Sequence, residues 1–279
     1  MIFKNIFRKT STRESEILFP LNYLTSNFQH LTNLSDSGSM LDLGDDLIVN
    51  EIKKGTWEKG SVYFWTKICT SFKFDNIYDI GAYSGIYGIL AHHSRRGSPK
   101  IRFIEANPFV YNRLVINLRL NKINTISAKW TAISELLDST IELSCRLSPS
   151  EISTASRADS VHNDEGYKVV CPNDNIEHFC MAMKGTMLTK IDIEGAEVEL
   201  VNGLLRQYEN STLVCLVEIL TEKNFKKIVK IASKYGFSLF SINEKDNSLG
   251  ALFGYRESSE DRNYLLFSDK ATSIYRVII

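Results

Sequence analysis

The 279-residue sequence carries no surplus of charge: 33 Lys and Arg stand against 33 Asp and Glu, a net charge of 33 − 33 = 0. Affinity for a phosphate backbone comes largely from a basic excess, so no nucleic acid is expected as a partner. Long apolar runs are missing as well. A membrane span needs roughly 20 consecutive apolar residues, and the longest strongly apolar stretch, Leu213 to Leu220, already contains Glu218. No transmembrane segment is expected. Lys4 and Arg8 interrupt any signal-peptide core at the N-terminus. The five cysteines (Cys69, Cys145, Cys171, Cys180 and Cys215) are odd in number and form no C-x-x-C pair. Neither a disulfide framework nor a structural zinc site is expected, and a reducing cytoplasm is the matching compartment. Repeats and low-complexity tracts are absent. What remains is 43% apolar and 24% charged, the make-up of a folded chain and not a disordered one.

From Asp75 onward, short β-rich runs alternate with helical patterns, which predicts an α/β fold: a doubly wound, mostly parallel Rossmann-like sheet with helices on both faces. The expected strands are 77–80, 101–104, 125–132, 187–193, 212–219, 237–242 and 264–267. The expected helices are 85–94, one opened by Pro108 at its first turn, a short one near 174–181, 196–207 and 225–235. In the Pro108 helix, Val110, Leu114, Leu118 and Leu120 mark the buried side, with Asn121 as C-cap. Residues 134–171 are rich in Ser, Asp and Thr and read as an insertion, a hairpin plus a mobile loop at 148–166. Residues 1–74 fit none of this alternation and read as an N-terminal extension packing on the 75–279 core.

In such sheets ligands bind beyond the carboxyl ends of the strands. The ends to inspect are therefore Asp79–Gly85, Glu105–Pro108, Thr131–Ser134, Asp192–Gly195 and Glu218. The first reads Asp79-Ile80-Gly81-Ala82-Tyr83-Ser84-Gly85. A dinucleotide fingerprint wants glycine two places after the first one, where this chain has the bulky Tyr83. The pattern D-x-G-x-x-x-G instead resembles motif I of class I S-adenosylmethionine-dependent methyltransferases, whose ligand has no phosphate. A carboxylate at Glu105 suits the two hydroxyls of a ribose, followed by Ala106 and Asn107. Thr131, Ala132 and Ile133 end the third strand, where small and apolar residues suit a flat base.

The words FIEANPFVYNRLVINLRLN (103–121), WTAIS (130–134), LTKIDIEGAEVELVNG (188–203) and LVCLVEIL (213–220) resemble the FkbM family of methyltransferases, with KIDIEGAE the most specific. The resemblance covers about 77–267. It implies S-adenosyl-L-methionine as cofactor and methyl transfer to a hydroxyl of a small-molecule or glycan acceptor, often a sugar of a surface polysaccharide or natural product. The family often places a polar residue, commonly histidine, two positions after the strand-five glutamate; here that position is Leu220.

Methyl transfer from a sulfonium needs alignment and a group to take the hydroxyl proton. Asp192, Glu194 and Glu218 are the carboxylates expected at the catalytic edge, with Asp192 also beside the cofactor. Period-two alternation would turn Asp192 and Glu194 to the same side. Glu197 is expected to cap the following helix. Trp57-Glu58 either closes over the cofactor or anchors the extension. The five histidines are scattered and assign no metal. A nicotinamide-dependent oxidoreductase and a non-catalytic protein retaining the fold are the alternatives; Tyr83 speaks against the first and the strand-end carboxylates against the second.

Overall fold

The computed structural model describes residues 31–33, 38–42, 47–145, 155–157, 167–193, 195–251 and 262–278. A short hairpin, β1 (Leu31–Asn33) and β2 (Ser39–Leu41), precedes two helices, α1 (Leu47–Lys54) and α2 (Lys59–Ser71). The alternating part follows: β3 (Asn76–Ile80), α3 (Ile86–Ser94), β4 (Lys100–Glu105), α4 (Pro108–Leu120), β5 (Ala128–Trp130) and β6 (Ala132–Ser134). After the insertion strands β7 (Thr140–Cys145), β8 (Ala155–Arg157) and β9 (Tyr167–Asn175) come α5 (Ile176–Ala182), β10 (Met187–Ile191), α6 (Glu197–Gln207) and β11 (Leu213–Glu218). The chain closes with α7 (Glu222–Lys234), β12 (Phe237–Asn243), β13 (Ser248–Ala251), β14 (Asn263–Ser268) and α8 (Thr272–Ile278).

The main sheet has eight strands in the order β13-β12-β14-β11-β10-β3-β4-β5. Strands β5, β4, β3, β10, β11 and β12 run one way, and β13 and β14 run antiparallel to them. The fold class is thus α/β and doubly wound, with a mostly parallel sheet. Period-two alternation explains the two cores. Ile77, Phe103, Leu188, Val214 and Leu265 point to one face and pack with Trp65 of α2, Ile89 of α3, Leu114 of α4 and Ile274 of α8. Their neighbours Tyr78, Ile104, Met187, Cys215 and Leu266 point to the other, against Cys180 of α5, Leu204 of α6 and Ile228 of α7. Strands buried on both faces read as continuous apolar runs, which is how Leu213–Val217 is written.

Several expectations need correction. The predicted third strand over 125–132 is three pieces: a 3₁₀ turn at Thr125–Ser127, then β5 on the main sheet, then β6, which leaves it. β6 pairs in parallel with β9 of a separate four-stranded sheet, β6-β9-β7-β8, in which β7 and β9 are antiparallel. Apart from Ala155–Arg157, the loop 148–166 lies outside the described residues. Strand β10 stops at Ile191 rather than residue 193, so strand alternation says nothing about Asp192 or Glu194. Helix α7 begins three residues earlier than expected, because the Thr221 hydroxyl accepts the Asn224 N–H at 3.2 Å and caps it. In α4 the buried face carries Asn117 rather than Leu120. The Asn117 side chain accepts the Leu41 N–H at 2.8 Å and donates to the Ser84 carbonyl at 2.8 Å, tying β2 and the loop after β3 to one helix. Residues 1–30 lie outside the described residues; the rest of the extension is anchored through Trp65, whose indole N–H reaches the Tyr87 carbonyl at 2.9 Å. Among the described residues no helix is long and apolar enough to cross a membrane.

Candidate active site

The carboxyl ends of β3, β4, β10 and β11, with the turn between β5 and β6, surround a cavity of about 300 Å³. Ten of the residues expected to bind the cofactor stand on its wall: Asp79, Gly81, Ala82, Tyr83, Glu105, Ala106, Thr131, Ala132, Ile133 and Asp192. Glu218 and the neighbouring Leu220 are there too. Two expected wall residues are not. Gly85 is the left-handed N-cap of α3 (φ 90°), facing Leu114. Asn107 is the N-cap of α4, its side chain accepting the Phe109 N–H at 3.0 Å while its amide nitrogen is buried without a partner among the described residues. Glu194 lies outside the described residues.

The glycine loop is built for close approach. At Gly81 (φ +74°) a Cβ would sit 1.6 Å from the Asp192 carbonyl oxygen, so only glycine lets the ends of β3 and β10 meet. That contact is what carries Asp192 to the cavity; its N–H donates to the Ile80 carbonyl at 2.9 Å. Tyr83 is itself left-handed (φ 50°), an uncommon state for a bulky residue. It is held by Glu105, whose two oxygens accept the Tyr83 N–H at 2.8 Å and the Asn107 N–H at 2.7 Å. Glu105 therefore shapes the loop as well as facing the cavity. Burial pushes its carboxyl up to about 7 against those two hydrogen bonds. Asp79 is likewise pushed up to about 7 by burial, with one oxygen accepting the Gly88 N–H at 2.8 Å.

Under this edge lies a polar network of which sequence reading picked out Asp192 and Glu58 but not Lys190, Asn263 or Glu244. Lys190, in mid-strand on β10 and only 1% exposed, donates to Asn263 Oδ1 at 3.1 Å. Its ammonium lies 3.5 Å from Asp192 Oδ2 and 5.2 Å from the centre of the Tyr87 ring. The Tyr87 hydroxyl donates to Glu58, and Asn263 continues to Glu244, which also accepts the Ser61 N–H at 3.0 Å. Burial alone would pull the Lys190 pKa down, but the negative charges of Asp192, Glu58, Glu218 and Asp79 together push it up. Glu218 goes the other way: burial first, then the charge of Asp192 beside it and a hydrogen bond with that side chain, raise its carboxyl well above the ordinary range. The clue in the sequence was a lysine inside the buried run Met187–Ile191, since lysine is almost never fully buried unpaired.

Trp57 and Glu58 both reach the cavity wall. Trp57 packs on Tyr87 with ring centres 5.5 Å apart. Glu58 starts α2 in a left-handed conformation (φ 36°), a strained non-glycine position beside a site. Glu197 keeps the capping role expected of it, accepting the Gly195 N–H at 3.0 Å in the first turn of α6. Among the described residues no three His, Cys, Asp or Glu side chains converge as a metal site.

No protein-family model matches this sequence, and no curated protein matches it. Solved structures similar in outline include ribosomal protein L11 methylase from Lactobacillus delbrueckii subsp. bulgaricus (13% identity, TM-score 0.44, covering 86% of this chain and 98% of that one). Precorrin-6y C5,15-methyltransferase from Geobacter metallireducens shares 13% identity over 74% of this chain and 86% of its own, TM-score 0.38. Aeropyrum pernix fibrillarin, solved with bound S-adenosyl-L-methionine, shares 9% over 75% and 76%, TM-score 0.40.

Proposed function

We propose that this chain is an S-adenosylmethionine-dependent O-methyltransferase of the FkbM type, acting on a hydroxyl of a sugar-like acceptor. The observation that carries the reading is the pairing of a buried Glu105 carboxylate with a glycine loop whose third position is Tyr83. That combination suits a ribose and leaves no open glycine turn for a pyrophosphate. The cavity wall suits the cofactor's parts: Glu105 would hold the ribose hydroxyls, and Ala106, Ala132 and Ile133 would offer a flat apolar surface to the base.

S-adenosylmethionine supplies a methyl group on a sulfonium and needs no further activation. The chain's own residues have three tasks. Asp192, 35% exposed at the end of β10, holds the acceptor hydroxyl and takes its proton on a carboxylate oxygen. Lys190, 3.5 Å from Asp192 Oδ2, fixes that carboxylate from below. Glu218, at the end of β11, faces the acceptor from the other side, while Leu220, Ile141 and Leu143 line the wall with apolar surface that excludes water.

The test is calorimetry with S-adenosylhomocysteine and with NADH on the full chain. The reading expects the first to bind and the second not to, and S-adenosylhomocysteine release to accompany appearance of a methylated hydroxyl by mass spectrometry. Binding of NADH alone would replace it with the oxidoreductase reading.

A further inference from the structure

We propose that Arg262 receives a negatively charged group of the acceptor, a carboxylate or phosphate near the methylated hydroxyl; this rests on the methyl-transfer reading above. Arg262 lies just before β14, where its carbonyl accepts the Ile219 N–H at 2.9 Å and its neighbour Asn263 pairs with Glu218. It therefore stands beside the end of β11, on the wall of the same cavity. Among the described residues, Lys190 and Arg262 are the two cations on that wall. Lys190 is engaged with Asn263 and Asp192. The Arg262 Nε, by contrast, is buried and has no hydrogen-bond partner among the described residues.

A guanidinium keeps its charge at any working pH and presents its donors as a planar fork that matches carboxylate and phosphate oxygens. A buried donor left without an acceptor is unfavourable, and a ligand anion would supply the missing acceptor with a charge-assisted bond. The rest of the catalytic wall (Glu58, Asp192, Glu218) is acidic, so Arg262 is where an anionic acceptor can settle without repulsion.

Sheet order separates this position from the cofactor's. The glycine loop follows β3 and Glu105 ends β4, whereas Arg262 leads into β14, beyond β10 and β11. Three strand spacings put it about 14 Å from the glycine loop, on the side away from the ribose end. An anion held there belongs to the second substrate.

The experiment is calorimetry on the full chain saturated with S-adenosylhomocysteine, using methyl glucuronide, glucose 6-phosphate and the neutral methyl glucoside as probes. At least one anionic probe should bind roughly tenfold or more tighter than the neutral one, the range set by a charged hydrogen-bonding partner. The one that does so tells carboxylate from phosphate acceptors. Arg262→Gln should abolish the preference while leaving S-adenosylhomocysteine affinity within about twofold, and Arg262→Lys should restore part of it. Equal binding of all three probes, or a preference that survives Arg262→Gln, overturns the proposal. So does a loss of S-adenosylhomocysteine affinity in Arg262→Gln with 5′-methylthioadenosine unaffected, because the anion would then be the cofactor's own carboxylate. The probes can also be titrated without cofactor. An Arg262-dependent preference in a chain that binds no S-adenosylhomocysteine keeps the anion site and sinks the methyl-transfer reading.

Discussion

Replacing Glu105 by Gln removes a charge and leaves the shape. In the structure one oxygen accepts the Asn107 N–H at 2.7 Å and the other the Tyr83 N–H at 2.8 Å. The amide can serve only one of them, so the other N–H meets a donor and the loop loosens. Loss of the charged acceptor for the ribose is worth about 1.5–3 kcal/mol, roughly tenfold to a hundredfold in Kd for S-adenosylhomocysteine. The charge also gives binding a pH signature. Burial pushes the Glu105 carboxyl up to about 7, and hydroxyl donors favour its ionised form. Below 7 a ligand must displace the proton, so wild-type affinity should rise about tenfold between pH 6 and pH 8 and level off above that. Asp79 is pushed to about 7 as well, so the slope belongs to Glu105 only if Glu105→Gln flattens it. Isothermal calorimetry at both pH values on both proteins decides the matter. A wild-type Kd that ignores pH, or a variant within twofold of wild type, would refute the reasoning.

Further outcomes follow from the same contacts. Asp192→Asn should retain cofactor affinity within a few fold and lose about 10²–10⁴-fold in turnover; the check is S-adenosylhomocysteine release with a working acceptor. Lys190→Met leaves buried carboxylates without their cation and should destabilise the fold by about 3–5 kcal/mol in urea unfolding. Gly81→Ala, with a Cβ 1.6 Å from the Asp192 carbonyl and a positive φ, should abolish cofactor binding or folding, seen by calorimetry and circular dichroism. Asp79 and Glu105 both have folded-state values raised above their unfolded ones. Their stabilising share is therefore complete below about pH 4 and lost as pH rises towards 7, and a thermal melt of Glu105→Gln should show a shallower fall over that window than wild type.

The sheet was legible because its strands are buried on both faces and therefore written as unbroken apolar runs. β3, β4, β10 and β11 were placed to within one or two residues. The failures are places where that signal stops. Between Thr125 and Ser134 a single β-rich stretch is divided between two sheets, and only tertiary pairing with β9 decides where it breaks. The cavity wall at the ends of β3 and β4 was readable because a glycine turn and a strand-end acid are local features. Lys190, Asn263 and Arg262 were not, since Lys190 lies on β10 and the other two at the start of β14, far apart in the chain, and they come together only when the sheet order brings β14 beside β11. Gly85 and Asn107 sit inside the motif but off the cavity wall: one is a helix start facing Leu114 and the other a helix cap.

The central claim is that the carboxyl edge of β3 and β4 holds the nucleoside of S-adenosylmethionine. A crystal structure with S-adenosylhomocysteine tests it most directly. The account predicts ribose hydroxyls within hydrogen-bond distance of Glu105 and the base against Ala106, Ala132 and Ile133. Its sulfur should lie beside Asp192. A nucleoside seated elsewhere, or a Glu105 carboxylate bound only to the Tyr83 and Asn107 amides while the ligand occupies the cavity, would contradict it.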